Sequence, residues 1–434
     1  MKRKITIILC SLAILVISAQ IGTVYLGNKS SLISEKSHDK QISGTITFVS
    51  NRTDKQKEIM NLINEFENVY PEVKVKLELI GDAEEILQRK ASVGELADVT
   101  VVPDTISSNE FNKYFLSIDD LGFNKDNIYN YYQGIGADGK LYNLRTSLSW
   151  HGVIYNKKIF NQLGIDMVPV NKKEFFEVCD KIKENDIVPI ALNYKQSWIM
   201  NMWLDVVPEL YNINSENELI NKSYNVLDDS SGVYKSIEFL REIYKYGYCE
   251  KNLVNYEWEE CKNDIVQGKV AMIIWNSDFI NQLTDMGMNK DDIGIFPIPE
   301  TKNVIIDGDY RIGVSKNTKY PEASKAFLKY IFENDRYAEA VNIMSNLKKS
   351  YSSDKLLENI SQYNIDIKFK DDIISKKDDF EKEQNIIYLK LKNTVGIDYN
   401  FVQKYIIAPN IDEIRKYTNE EWKKQKLKYD EGTK

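Results

Sequence analysis

Gln267-Gly268-Lys269-Val270-Ala271-Met272-Ile273-Ile274-Trp275-Asn276-Ser277-Asp278 is the stretch on which the reading of this chain turns. A polar, helix-like run from Trp258 to Ile265 leads into Gly268, a residue suited to stopping a helix. The apolar run Val270 to Trp275 then has the length and character of a strand buried in a sheet. It closes on an indole and three polar side chains. Two readings stand at this point: a core strand followed by a turn, or a strand whose end floors a ligand cleft.

Outward from this stretch, the first hundred residues beyond the leader set the fold class. Thr45 to Val49 alternates as a strand, and Ile59, Leu62, Ile63 and Phe66 fall at helical spacing. Tyr70-Pro71 ends that helix. Val73, Val75, Leu77 and Leu79 alternate again, Ala83 to Val93 reads as a helix, and Asp98 to Val102 as a third strand. This β-α-β-α-β order predicts an α/β fold with a parallel, doubly wound sheet. Ligands of such sheets bind beyond the carboxyl ends of the strands, which here carry Asn51, Arg52 and Asp104. A second β-α-β unit begins near position 146. Its strand ends bring Trp150, Asn193 and Trp198 forward as candidate ligand contacts.

Composition excludes several functions. The chain has 434 residues, enough for two or three domains, and a formal charge of -8, against the basic footprint of a nucleic-acid binder. Its two histidines, His38 and His151, leave little room for His-based metal or general-base chemistry. Cys179, Cys249 and Cys261 match neither a disulfide framework nor a zinc pattern, although Cys249 and Cys261 are available to pair. The run from Gly134 to Lys140 is a turn cluster with no capped helix after it, so it is not a phosphate loop. The chain carries 27 tyrosines, and rings in such supply suit flat, hydroxylated ligands.

Residues 1–27 read as a signal peptide or an uncleaved membrane anchor: a basic start, then an apolar run about long enough to span a bilayer. Both readings export the remainder. Cys10 has Leu9 before it and does not look like a lipidated cysteine. Residues 28–43 read as a solvated tether.

Several motifs, in order, resemble the extracellular solute-binding proteins of family 1, the carbohydrate-binding components of bacterial ABC importers, which include maltose-binding protein. They are Gly44-Thr45-Ile46-Thr47-Phe48, Phe66 to Val75 with its central Tyr70-Pro71, Gly94 to Val99, Asp138 to Tyr142, and Gly152 to Lys157. Gly268-Lys269-Val270-Ala271-Met272, the most specific of the set, and Ile293 to Pro299 complete it. The resemblance implies a two-lobed, type II periplasmic-binding-protein-like fold with a sugar in the cleft between lobes. It implies a first lobe of 44–143 plus 277–311 and a second of 145–274 plus 314–434. The quoted stretch is then a crossing from the second lobe to the first. The implied partners are a carbohydrate and ABC permease subunits, with the membrane met through the N-terminal segment and the receptor a monomer. No cofactor, metal or catalysis is implied.

Where the family often has Gly-Ser-Trp, this chain has Asn276-Ser277-Asp278, so Trp275 is expected to take over stacking or Asp278 to bond sugar hydroxyls. Asp309 and Tyr310 precede the last expected crossing and join the candidate site. Two other functions remain open: an anchored sensor that reports ligand to a membrane partner, and a glycoside hydrolase using paired carboxylates.

Overall fold

The computed structural model describes residues 42–81, 83–221, 224–377 and 379–432. The leader and almost all of the tether lie outside these residues. Among the described residues, no helix is long and apolar enough to cross a membrane.

Two sheets organise the chain. The first has the order β2-β1-β3-β10-β4, formed by β1 (Gly44–Ser50), β2 (Val73–Leu79), β3 (Val99–Val102), β4 (Asn143–Arg145) and β10 (Arg311–Val314). β1 pairs in parallel with β2 and β3, while β10 is antiparallel to β3 and β4. The expected β-α-β-α-β order is therefore present. The helix Gln56–Val69 buries the four residues that its spacing singled out, Ile59, Leu62, Ile63 and Phe66. They face Ile46, Phe48, Val73 and Phe327 in one apolar cluster.

The second sheet has the order β6-β7-β5-β8, with β5 (His151–Asn156), β6 (Val188–Ala191), β7 (Val270–Asn276) and β8 (Ile293–Phe296). The quoted stretch forms β7, at the centre of this sheet. Gly268 stops the preceding helix, Trp258–Val266, as expected; its φ of 74° is a left-handed conformation in which a Cβ is strained. Burial of β7 on both faces follows from its packing between two apolar clusters. Ala271, Met272 and Ile274 belong to one, and Val270 and Ile273 to the other. Together the two sheets, each with flanking helices, make the two-lobed type II fold.

The expected lobe boundaries are corrected by strand pairing. β8 lies within the segment 277–311 assigned to the first lobe, yet it pairs antiparallel with β5, Val153 opposite Phe296. Helix Phe279–Asp285 packs on the same sheet through Phe279 and Leu283. The quoted stretch is thus not a crossing; the chain stays in the second lobe after it. Conversely, helix Pro321–Phe332, expected in the second lobe, buries Phe327, Leu328 and Ile331 against the first sheet. Residues 314–434 are therefore split. The long helices near the C-terminus, which carry Tyr388, Val402, Tyr405 and Trp422, do pack on the second lobe.

Among the described residues, the chain passes between the lobes near 146–150, 307–310 and 342–350. The first two passages run antiparallel, tied by Ser149 N–H to the Asp307 carbonyl at 2.7 Å and Asp307 N–H to the Ser149 carbonyl at 2.9 Å. The third joins them where Leu148 N–H donates to the Met344 carbonyl at 3.0 Å. Behind them, β9 (Asn303–Ile306) pairs in parallel with β11 (Asp366–Phe369). The lobes also touch directly: Lys55 and Asn342 of the first lobe reach the Asp285 carboxylate of the second at 2.6 and 3.1 Å.

Candidate functional site

The carboxyl ends of β1 and β3 and those of β6 and β7 face the junction of the lobes, so their loops define the candidate site. On the first lobe, Ser50 ends β1 and its hydroxyl accepts from Arg52 N–H at 3.2 Å. The Arg52 guanidinium is locked onto Asp54 by two hydrogen bonds, at 2.9 and 2.8 Å. Asn51 faces the Tyr310 phenol, and Tyr310 keeps 40% of its surface exposed. At the end of β3 the exposed Asp104 pairs with the buried Arg311 at 3.1 Å, and Arg311 also donates to the Pro103 carbonyl.

The second lobe presents a wall of three indoles. Trp198 stands edge-on to Trp258 and to Trp275, with ring centroids 4.8 and 4.9 Å apart. Trp275 is the penultimate residue of β7, and His151, at the start of β5, lies edge-on to it at 5.6 Å. Burial lowers the His151 pKa to about 4 against the pull of Asp307, so the ring is neutral near pH 7. It is a packing neighbour of Trp275. Trp198 retains 37% exposure, which leaves an aromatic face open to a ligand.

Two carboxylates lie beside Arg52 where the chain crosses between the lobes. After β7, Asn276 donates to Ser149 Oγ at 2.8 Å, Ser277 N–H to the Trp150 carbonyl at 2.8 Å, and Asp278 N–H to Asn276 Oδ1 at 2.9 Å. This turn leaves the Asp278 side chain buried, with neither oxygen in a well-formed hydrogen bond. Burial raises its pKa to about 6; Ser147, Arg52 and the Met344 backbone face it and oppose the rise only in part. Asp309 is raised to about 7, by burial and then by Asp278, against Arg52 and Arg145. Its backbone is fixed by its N–H donating to Ser147 Oγ at 3.1 Å and by Arg145 donating to its carbonyl.

Asn51, Arg52, Asp309 and Tyr310 thus come together on the first-lobe side, with Asp104 on its rim and Asp278 enclosed behind them. Trp198 and Trp275 come together on the second. Three expected residues fall away, the first being Asp278, whose enclosed oxygens are closed to sugar hydroxyls. Trp150 is 1% exposed and fills an apolar cluster with Leu148, Val304, Ile306, Leu356 and Ile360. Asn193 is fully buried, with its N–H on Glu250 and its side chain on Cys261 at 3.3 Å. The possible Cys249–Cys261 pairing is also corrected: both thiols are free, in separate apolar clusters. Trp258, in a helical run that reads as packing, does pack on Phe279 with ring centroids 5.0 Å apart, and it also stands beside Trp198. It is the first residue of its helix, where a ring can project past the end. Among the described residues no grouping of His, Cys, Asp or Glu is arranged to hold a metal ion.

Two α/β lobes joined by crossing strands, one carrying an aromatic wall and the other a hydrogen-bonding surface, define a binding protein of the hinged, cleft-bearing class. Residues 50–337 match the family model for the bacterial extracellular solute-binding proteins, and the chain belongs to that family. It is 23% identical over 309 residues to the "Multiple sugar-binding protein" of Streptococcus mutans, covering 69% of this chain and 73% of that one. It also resembles a manno-oligosaccharide specific solute-binding protein of Bifidobacterium animalis subsp. lactis in complex with mannotriose. That likeness has a TM-score of 0.76 at 20% identity and covers 90% of this chain and 96% of the other. A chitin oligosaccharide binding protein superposes with a TM-score of 0.71 at 19% identity, covering 89% and 98%.

Proposed function

We propose that this protein is an extracellular carbohydrate receptor that closes around a sugar or oligosaccharide and delivers it, unchanged, to the permease of an ABC importer. The observation that carries this reading is the wall of Trp198, Trp258 and Trp275 at the carboxyl ends of the second sheet, with Asn51, Arg52, Asp104 and Tyr310 gathered on the first lobe. Sugar rings offer C–H faces to aromatic platforms and rings of hydroxyls to planar polar groups, and this arrangement supplies both. The sugar-binding relatives point the same way.

Binding needs no general acid. Asp278 and Asp309 are paired carboxylates, but the Asp278 oxygens are enclosed, an unsuitable place for an acid that must meet a glycosidic oxygen. The receptor acts as a monomer, exported and held at the outer face of the membrane by its N-terminal segment or released after cleavage. Because Cys10 lacks a small residue before it, anchoring through the apolar run is favoured over lipidation. An anchor of that kind also serves the second reading, a membrane-bound sensor of the same ligand.

A thermal-shift panel tests the proposal. A ligand that binds only the folded state at about a hundred times its Kd stabilises it by about 2.7 kcal/mol. At least one oligosaccharide is expected to shift the transition, and amino acids and peptides are expected not to. A shift with peptides alone would overturn the substrate class.

A further inference from the structure

Strand ends account for Trp275 but not for the other two indoles. Between β6 and Trp198 the chain makes an irregular turn in which Asn193 adopts a φ of 51°, a left-handed conformation. A single buried carboxylate spans this turn. Glu250, 6% exposed, accepts from Leu192 N–H and Asn193 N–H, each at 2.8 Å. A carboxylate is an acceptor only, so it matches two convergent N–H groups where an amide would not. Burial raises the Glu250 pKa, and these backbone donors oppose the rise.

The turn is then carried to the second indole. Asn193 donates to Cys261 Sγ at 3.3 Å, on the helix that Trp258 begins. The Asn193 carbonyl accepts from Gln196 N–H at 3.1 Å. Oriented by its neighbours, the Gln196 amide donates to that same carbonyl and accepts from Trp258 N–H, both at 3.2 Å. Trp198 lies two residues beyond Gln196, in helix Ser197–Asp205.

We propose that Glu250 is the positioning residue of the tryptophan wall: by bridging the backbone N–H groups of Leu192 and Asn193 it fixes the turn from which Trp198 and, through Gln196, Trp258 meet the ligand. The affinity part of this inference rests on the carbohydrate-receptor reading; the geometry of the wall does not. Nearby indoles at 4.8 Å and 81° should give a coupled circular dichroism signal, readable without ligand.

The test uses Glu250→Gln in the full-length chain. The coupled indole signal is expected to collapse while the transition remains cooperative. The Kd for the tightest oligosaccharide of the panel is expected to rise by about tenfold. The double variant Trp198→Ala/Glu250→Gln is expected to lose less affinity than the two single losses multiplied together, because Glu250 acts in part through the Trp198 ring. An unchanged indole signal in folded Glu250→Gln, or losses that multiply in the double variant, would overturn the proposal. Should Glu250→Gln not fold, Gln196→Ala breaks the same network closer to the surface; it must weaken the indole signal, and a parent-like signal refutes the linkage. If the parent binds no sugar, the receptor reading fails while the indole signal still decides this inference.

Discussion

Removing the Asp278 charge should stabilise the protein at neutral pH. The side chain is 6% exposed, lacks a well-formed hydrogen bond at either oxygen, and does not cap helix Phe279–Asp285. Burial raises its pKa from 3.8 to about 6. At about 1.4 kcal/mol per pKa unit, ionising it in the folded state costs about 3 kcal/mol relative to the unfolded chain. The sign follows from proton counting. Between pH 3.8 and about 6 the folded state holds the proton more tightly than the unfolded state. Stability therefore falls as pH rises through that window and stays low above it. Asp278→Asn keeps the shape and removes the charge. It should match the parent near pH 4 and exceed it at pH 7.5 by up to about 3 kcal/mol, roughly 3–4 °C in Tm for a chain of this length. Calorimetric melts from pH 4 to 8 read this directly. A variant no more stable than the parent at pH 7.5, or a difference that does not grow with pH, would refute the reasoning.

Three further outcomes follow from the same geometry. Trp198→Ala should weaken oligosaccharide binding by about tenfold or more with little change in Tm, since the ring is 37% exposed; titration calorimetry beside a melt separates the two effects. Trp150→Ala should cost about 3–5 kcal/mol in denaturant unfolding, with the affinity of the folded fraction unchanged, because its ring fills a closed apolar cluster. Cys179, Cys249 and Cys261 are free, buried thiols whose pKa values burial raises; mass spectrometry should find them unalkylated in the native protein and all three alkylated after unfolding.

Local patterns made the fold class legible. Alternation in Val73 to Leu79 and helical spacing from Ile59 to Phe66 report which face each element buries; the structure buries the helix face, Val73 and Val75, and half-buries Leu77 and Leu79. Lobe membership was not legible, because pairing partners lie far apart in sequence. Ile293–Phe296 has the same apolar character whichever sheet it joins, and β5 decides the matter. The site was legible in part for the same reason. A strand end marks Trp275 and Arg52 as facing the junction. Whether a ring there is open depends on what arrives from elsewhere: Leu356 and Ile360 close over Trp150, while nothing of the kind covers Trp198. Asn193 sits at the expected strand end, but Glu250 engages its backbone and Cys261 its side chain. The departure at Asp278 suggested a sugar contact; the structure instead encloses its oxygens near Ser147, Met344 and Arg52, which come from three separate segments.

The central claim is that the cleft binds a carbohydrate and returns it intact. Titration calorimetry of the protein against a panel of oligosaccharides, with mass spectrometry of the recovered ligand, tests this most directly. The account predicts saturable binding of at least one oligosaccharide, one per chain, with the ligand recovered at its original mass. Binding confined to peptides or amino acids, or recovery of a cleaved sugar, would contradict it.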